Sequence, residues 1–238
     1  MNVRVYRDAR ELAGAAAEAF VERAREAMER SGRFAVALAG GSTPKLTYEV
    51  LADSYEGALD WSGVHVFFGD ERTVPPDDEN SNYRMAREAL LDRVPVGSVH
   101  RMRGELDPAE AAAAYEEELR DFFGDQELGF DLIFCGVGED GHTLSLFPET
   151  PALDVTDRWV VDNPVPKLDT IRLTLTVPVA NAARAVAFLV SGEGKAGALQ
   201  EILEGYADPH LYPAKLIAPA DGPDWLVDRA AASHLSTA

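Results

Sequence analysis

Short apolar runs, each closed by a glycine, alternate along the chain with longer stretches of helical period. Residues 3–6 (VRVY) alternate like a short strand. Asp8 with Glu11 three positions on has the form of a capping box and predicts a helix through about Arg30. Leu12, Ala16, Phe20, Ala24 and Met28 recur every four residues as its core-facing stripe, and Gly32 stops it. The runs 34–39, 64–68, 130–137 and 185–190 are almost continuously apolar, the signature of central strands in a parallel sheet. Helical patterns follow at 44–51, with Ser42 or Thr43 as cap and Pro44 in the first turn, and at 82–93. Two more run from the Asp107–Pro108 cap to about Phe123 and from Lys195 through Leu203. Residues 73–84 form a polar loop suited to a lid or rim, and 150–170 are irregular and Pro-rich. Residues 170–177 alternate with period two, predicting a half-buried strand at or near a sheet edge. The segment 214–218 suggests a last short strand, and 224–235 a closing amphipathic helix.

This order predicts an α/β protein with a mostly parallel sheet flanked by helices. No repeat, linker or charge block divides it, so residues 1–238 are expected to form a single domain. Hydrophobic content of 46% and charged content of 26% are ordinary for a globular chain. No apolar run approaches the roughly 20 residues that span a bilayer. The N-terminus lacks the basic start and apolar run of a signal peptide, so a cytoplasmic location is expected. The single cysteine, Cys135, lies within a strand and supports neither a disulfide framework nor a cysteine metal cluster. A net charge of −19 argues against nucleic-acid and anionic-membrane partners. An anionic small molecule would have to be held by local donors set against this field.

Four loops that follow apolar runs carry such chemistry: GGSTP, GDER, GVGEDGHT and SGEGK. In a parallel sheet the carboxyl ends of the strands share one edge, so these loops should converge on a single crevice. The first loop bares backbone amides at a helix N-terminus, which makes a phosphate cradle. It matches neither a Walker loop nor a dinucleotide fingerprint. Arg72 and Lys195 add charge, forked and point-like respectively. His142 is then free for proton transfer, with Asp70 as the neighbouring carboxylate. His65, inside a strand, is expected to be a satisfied core histidine. Nothing in the spacing of His, Cys and Asp suggests a catalytic metal, and no cofactor is expected.

With these loops assembled, the sequence resembles the 6-phosphogluconolactonase family over nearly its whole length. The carrying strings are AGGSTP (39–44), GDER (69–72), SNYRMA (81–86), GVGEDGHTLSLFP (136–148), RLTLTVP (172–178) and SGEGKA (191–196). The resemblance implies a Rossmann-like fold of the sugar-phosphate isomerase and deaminase superfamily. It implies cofactor-free hydrolysis of 6-phosphogluconolactone to 6-phosphogluconate, with His142 as general base. The family's aspartate and arginine fall on Asp70 and Arg72, its phosphate-loop hydroxyls on Ser42 and Thr43, and its late lysine on Lys195. Gly40, Gly41, Gly138, Asp140, Gly141 and Arg172 are expected to line the substrate. The chain departs from the family at Leu144 (alanine in many relatives), at Glu149 (glycine), and at 167–170, where the family's Lys-Pro-Pro-rich run reads Lys167, Leu168, Asp169, Thr170, so that substrate-side roles for Lys167 and Arg172 do not carry over from the resemblance.

The expected mechanism is direct attack by water on the lactone carbonyl. Asp70 orients or tunes His142, and backbone amides of the 138–143 loop face the oxyanion. Ser145 as a nucleophile lacks a GxSxG elbow. Glucosamine-6-phosphate deaminases share the fold but continue differently after the histidine, where this chain has TLSLFP. A non-catalytic sugar-phosphate sensor would add a DNA-binding segment, and residues 1–30 hold no basic helix-turn-helix. The expected partner is therefore one small sugar-phosphate lactone, bound by a monomer or weak homo-oligomer.

Overall fold

Capping begins the architecture where the sequence places it. In the computed structural model, which describes residues 2–124 and 129–236, strand β1 (Asn2–Tyr6) leads into helix α1 (Ala9–Ser31). Asp8 accepts from the amides of Arg10 and Glu11, while Glu11 accepts from the Arg7 amide at 2.7 Å. Gly32 ends the helix in the left-handed region at φ 72°, its N–H donating to the Met28 carbonyl. Then come β2 (Phe34–Leu38), α2 (Ser42–Ser54), β3 (Val64–Phe68), β4 (Asp70–Arg72), α3 (Asn82–Ala86), β5 (Ser98–Val99) and α4 (Pro108–Phe123). The second half adds β6 (Leu132–Cys135), β7 (Val160–Val165), β8 (Thr170–Leu175), α5 (Val177–Asn181), β9 (Val186–Val190), α6 (Ala196–Leu203) and β10 (Asp224–Asp228).

The main sheet has seven strands in the order β1-β10-β9-β6-β2-β3-β5, and every pairing in it is parallel. Its central strands are buried on both faces, yet period two still sorts their side chains. Val36, Leu38, Val66 and Phe134 pack with α1 and α2 on one side. Ala35, Ala37, Phe67, Ile133 and Phe188 pack with α4, α6 and the second sheet on the other. That second sheet is antiparallel, in the order β4-β8-β7. The chain passes from β3 into β4 through Gly69 alone, so the residues after β3 are shared between two sheets. Among the described residues no helix is long and apolar enough to cross a membrane.

Four expectations are corrected. Residues 224–228 are not helical but form β10, a strand between β1 and β9, followed by one 3₁₀ turn at Ala231–His234. A short apolar run such as WLV is consistent with either periodicity, and its place between two parallel strands decides it. Residues 213–216 make a 3₁₀ turn rather than a strand, and the Ala214 amide donates to the Gly141 carbonyl at 3.0 Å. Strand β8 is not an edge: it is central in the small sheet, because the stretch taken as irregular contains β7. Pro164 removes one donor from β7, which is tolerated because β7 is the outer strand. Finally, the helix expected over 82–93 stays α-helical only to Ala86, then loosens into one π turn over Arg87–Leu91.

Candidate active site

The carboxyl ends of β2, β6 and β9, with β4 and β8 alongside, enclose a cleft of about 510 Å³. Gly40, Gly41, Ser42 and Thr43 line it from the β2 side, Asp70, Arg72 and Arg172 from the small sheet, Gly138, Asp140 and His142 from the loop after β6, and Lys195 from the loop after β9. Eleven of the twelve residues singled out from sequence therefore meet; shared strand polarity accounts for those after β2, β6 and β9, and the antiparallel second sheet brings in Arg172. The exception is Gly141, which does not reach the cleft surface. It sits at φ 76° against Tyr212, and its carbonyl holds the 213–216 turn. Its role is to bend the loop.

The β2–α2 turn is fixed from behind. Tyr48, fully buried, exchanges hydrogen bonds with both the amide and the carbonyl of Ala39 at 2.9 Å. Gly41 occupies the N-cap position at φ 106°, a conformation disfavoured for any side-chain-bearing residue. Contrary to expectation, neither Ser42 nor Thr43 caps the helix; both lie inside it, and no side chain caps α2. Its first amides are thus left to face the cleft with the positive end of the helix dipole.

Asp70 and Glu71 hold the floor. Asp70 accepts from the Ser145 hydroxyl at 2.6 Å and from the Asn82 amide group at 3.1 Å. Ser145 is buried and its hydroxyl points to a carboxylate rather than to an imidazole, so it is not arranged as a nucleophile. Glu71 is buried too and accepts from the amides of Arg72, Asn82 and Tyr83 and from the Ser81 hydroxyl. Burial nonetheless raises its pKa. This clamp pins the SNYR turn to β4. The functional residues missed from sequence are Tyr48, Glu71 and Asn82, whose partners lie too far along the chain to be paired by pattern.

The loop after β6 is held largely by itself. The Gly138 amide donates to the His142 carbonyl at 2.8 Å, the Gly141 amide to Gly138 at 3.0 Å, and the His142 amide to Asp140 at 3.2 Å. These three amides are committed, which removes them from the oxyanion role expected of this loop. A side-chain carbon at Gly138 would overlap the His142 ring, so only glycine lets the ring lie where it does.

His142 Nδ1 donates to Asp140 Oδ1 at 2.5 Å, and its ring stacks on Phe147 with centroids 4.1 Å apart. A carboxylate at Nδ1 selects the tautomer whose basic nitrogen is Nε2. The contact expected of Asp70 is therefore made by Asp140, while Asp70 acts on the ring only through its field. Burial pushes the His142 pKa down to about 4. Asp70 opposes that shift, whereas Lys195, Arg172 and Arg72 add to it. The imidazole is neutral around pH 7.

His65 is hydrogen-bonded to Ser98 at 2.8 Å, away from the cleft, so it is satisfied as expected, but it lies half-buried at the β3–β5 edge rather than in the core. Buried Cys135 has its thiol pKa pushed up to about 12 and is chemically inert. Among the described residues, no three His, Cys, Asp or Glu side chains are grouped to hold a metal ion.

Nearly the whole chain, cleft loops included, is similar to known proteins. The chain is 48% identical to a 6-phosphogluconolactonase of Synechocystis sp. over 218 residues, covering 88% of each chain. Its fold superposes on 6-phosphogluconolactonase from Trypanosoma brucei with a TM-score of 0.89 and 29% identity, covering 99% of this chain and 98% of that one. A 6-phosphogluconolactonase from Thermotoga maritima gives a TM-score of 0.82 at 32% identity, with 95% and 99% covered. Residues 7–226 match the family described as glucosamine-6-phosphate isomerases/6-phosphogluconolactonase, which takes in every loop of the cleft. A family model matched from residue 7 to residue 226, together with a relative 48% identical over most of both chains, shows that the chain belongs to that family.

Proposed function

We propose that the chain hydrolyses 6-phospho-D-glucono-1,5-lactone to 6-phospho-D-gluconate, with His142 as general base. One observation carries this reading: a neutral imidazole, its Nδ1 held by Asp140, stands in a cleft lined by Arg72, Arg172 and Lys195. A neutral base beside fixed cations suits attack on a carbonyl by water while negative charge develops.

The phosphate binds at the open N-terminus of α2, against Gly41, Ser42 and Thr43. Water gives a proton to His142 Nε2 as its oxygen bonds to the lactone carbonyl carbon. The carbonyl oxygen becomes an oxyanion. With the Gly138, Gly141 and His142 amides committed within their loop, the cleft cations answer that charge. Collapse breaks the bond from the carbonyl carbon to the ring oxygen, which takes the proton back from Nε2 and leaves as a hydroxyl. The acid product then releases its own proton to solvent. No step calls for a cofactor, and every residue assigned here comes from one chain.

The test sets lactone hydrolysis, read as acid release above the spontaneous rate, against ammonia release from glucosamine 6-phosphate. Hydrolysis without ammonia is expected. His142→Ala should lower kcat by ~10²–10⁴-fold, the usual worth of a general base, and leave binding of inorganic phosphate intact. Near-normal hydrolysis by that variant would remove His142 from the mechanism.

A further inference from the structure

The β7–β8 hairpin belongs to the small sheet, yet its tip returns to the cleft. Pro166–Leu168 form a 3₁₀ turn, closed by Asp169 in the left-handed region at φ 47°. The Asp169 amide donates to the Pro166 carbonyl at 3.1 Å. Lys167 and Leu168 line the cleft from this tip. The Lys167 ammonium forms an ion pair with Asp140 Oδ2 and lies 5.3 Å from the centroid of the Phe147 ring, on which His142 stacks.

Asp140 is therefore divided between two partners. Oδ1 serves the His142 ring and amide. Oδ2 is buried and, apart from the Lys167 ion pair, has no partner among the described residues. A buried carboxylate oxygen left unpaired would concentrate negative charge beside the imidazole and free the carboxylate to rotate.

We propose that Lys167 is a positioning residue for the hydrolytic site: it holds Asp140 in the rotamer that orients His142 and offsets the charge that would otherwise protonate the ring. This rests on the assignment of His142 as base, which it deepens by placing control of that base on the hairpin of the second sheet. The charged groups lining the cleft around His142 are Glu139 and Asp140 on its own loop, Asp70 and Arg72 on β4, Arg172 on β8, Lys195 after β9 and Lys167 at the hairpin tip. Lys167 is the cation among them that pairs with the carboxylate bonded to the ring. Its side chain is half exposed, so the effect belongs at the low end of the range for an opposite charge.

The experiment compares wild type, Lys167→Met and Lys167→Arg. Two quantities are read: the pH dependence of kcat/KM for the lactone, and the titration of His142 by NMR of histidine-labelled protein. In Lys167→Met the His142 midpoint should rise by about one pH unit, with the acid limb of kcat/KM moving alongside it. Lys167→Arg should restore both. The loss in Lys167→Met should fall on kcat more than on KM. An unmoved His142 titration in Lys167→Met overturns the proposal, whether KM rises alone, as for a direct substrate contact, or nothing changes. The NMR readout needs no turnover. A moved titration together with full activity in His142→Ala would therefore overturn the base assignment and leave the tuning in place.

Discussion

Arg72 and Arg172 stand directly opposite one another across the β4–β8 pair, and both line the cleft. Opposed residues in an antiparallel pair put their side chains on the same face, where like charges repel. Burial, and then Arg72 itself, lowers the pKa of Arg172. Two guanidinium groups held this way make sense when an anion comes between them.

Removing one member should therefore separate binding from folding. Arg172→Gln loses a charge-assisted bond worth ~1.5–3 kcal/mol, so kcat/KM for the phosphorylated lactone should fall by roughly 10- to 100-fold. The urea midpoint should stay level or increase, because a like-charge pair worth ~0.2–1 kcal/mol of strain is relieved. Inorganic phosphate should raise the Tm of the wild type more than that of the variant. A variant that loses stability with kcat/KM unchanged would make Arg172 a structural residue.

Asp140 fixes the histidine tautomer through the 2.5 Å bond to Nδ1. In Asp140→Asn the side-chain amide can donate to Nδ1 instead, which moves the ring proton to Nε2 and removes the base. Losses on the order of 10⁴-fold in kcat accompany a wrongly locked tautomer, and a fall of that size is expected here with little change in phosphate affinity. Asp70→Asn should be milder, because Asp70 bonds Ser145 and Asn82 and reaches the ring only through its field.

The pH profile follows from the same ring. Burial holds the His142 pKa near 4, so the neutral base persists through mildly acidic conditions. kcat/KM should be flat across neutrality and fall as pH drops through about 4, once spontaneous hydrolysis is subtracted. Stability moves in the same direction. The folded pKa lies below the unfolded value of 6.5, so between those values the unfolded chain binds the extra proton. His142 therefore contributes stability that is full above pH 6.5 and declines toward pH 4, which a series of urea titrations across that window would detect. An acid limb near pH 6.5 would mean that the ring is more open to solvent than its stacking on Phe147 implies.

The cleft was legible in sequence because its pieces are local. A strand closed by glycine and followed by a helix announces a loop at a sheet edge, and parallel polarity brings four such loops together. What hid was which partner each side chain takes. Asp70 looked like the companion of His142, yet Asp140, two residues away, makes the contact, and Asp70 is bound to Ser145 and Asn82. Strand β10 was obscured by ambiguous periodicity, and with it Asp228, which accepts from the Ser191 hydroxyl and the Gly192 amide and so anchors the loop that carries Lys195. The small sheet was obscured because Pro164 argues against a strand, and only its outer position permits one.

Glu149, a position at which the family resemblance leads one to expect glycine, takes a positive φ of 57° on the exposed rim beyond Phe147. Its amide donates to the His210 carbonyl at 3.1 Å, which keeps the backbone in that conformation. A side-chain-bearing residue held there costs ~1 kcal/mol or more in strain, whereas glycine gives back ~0.5–1 kcal/mol through its freer unfolded chain. Glu149→Gly should therefore stabilise by zero to about 1 kcal/mol, seen as a higher urea midpoint with kcat/KM unchanged. Removing a carboxylate from a chain of net charge −19 also eases self-repulsion, so Glu149→Ala is the necessary control. Alanine removes the same charge but keeps the Cβ at φ 57°, and should fall short of glycine. Equal midpoints for the two variants would assign the effect to charge and leave no strain at this turn.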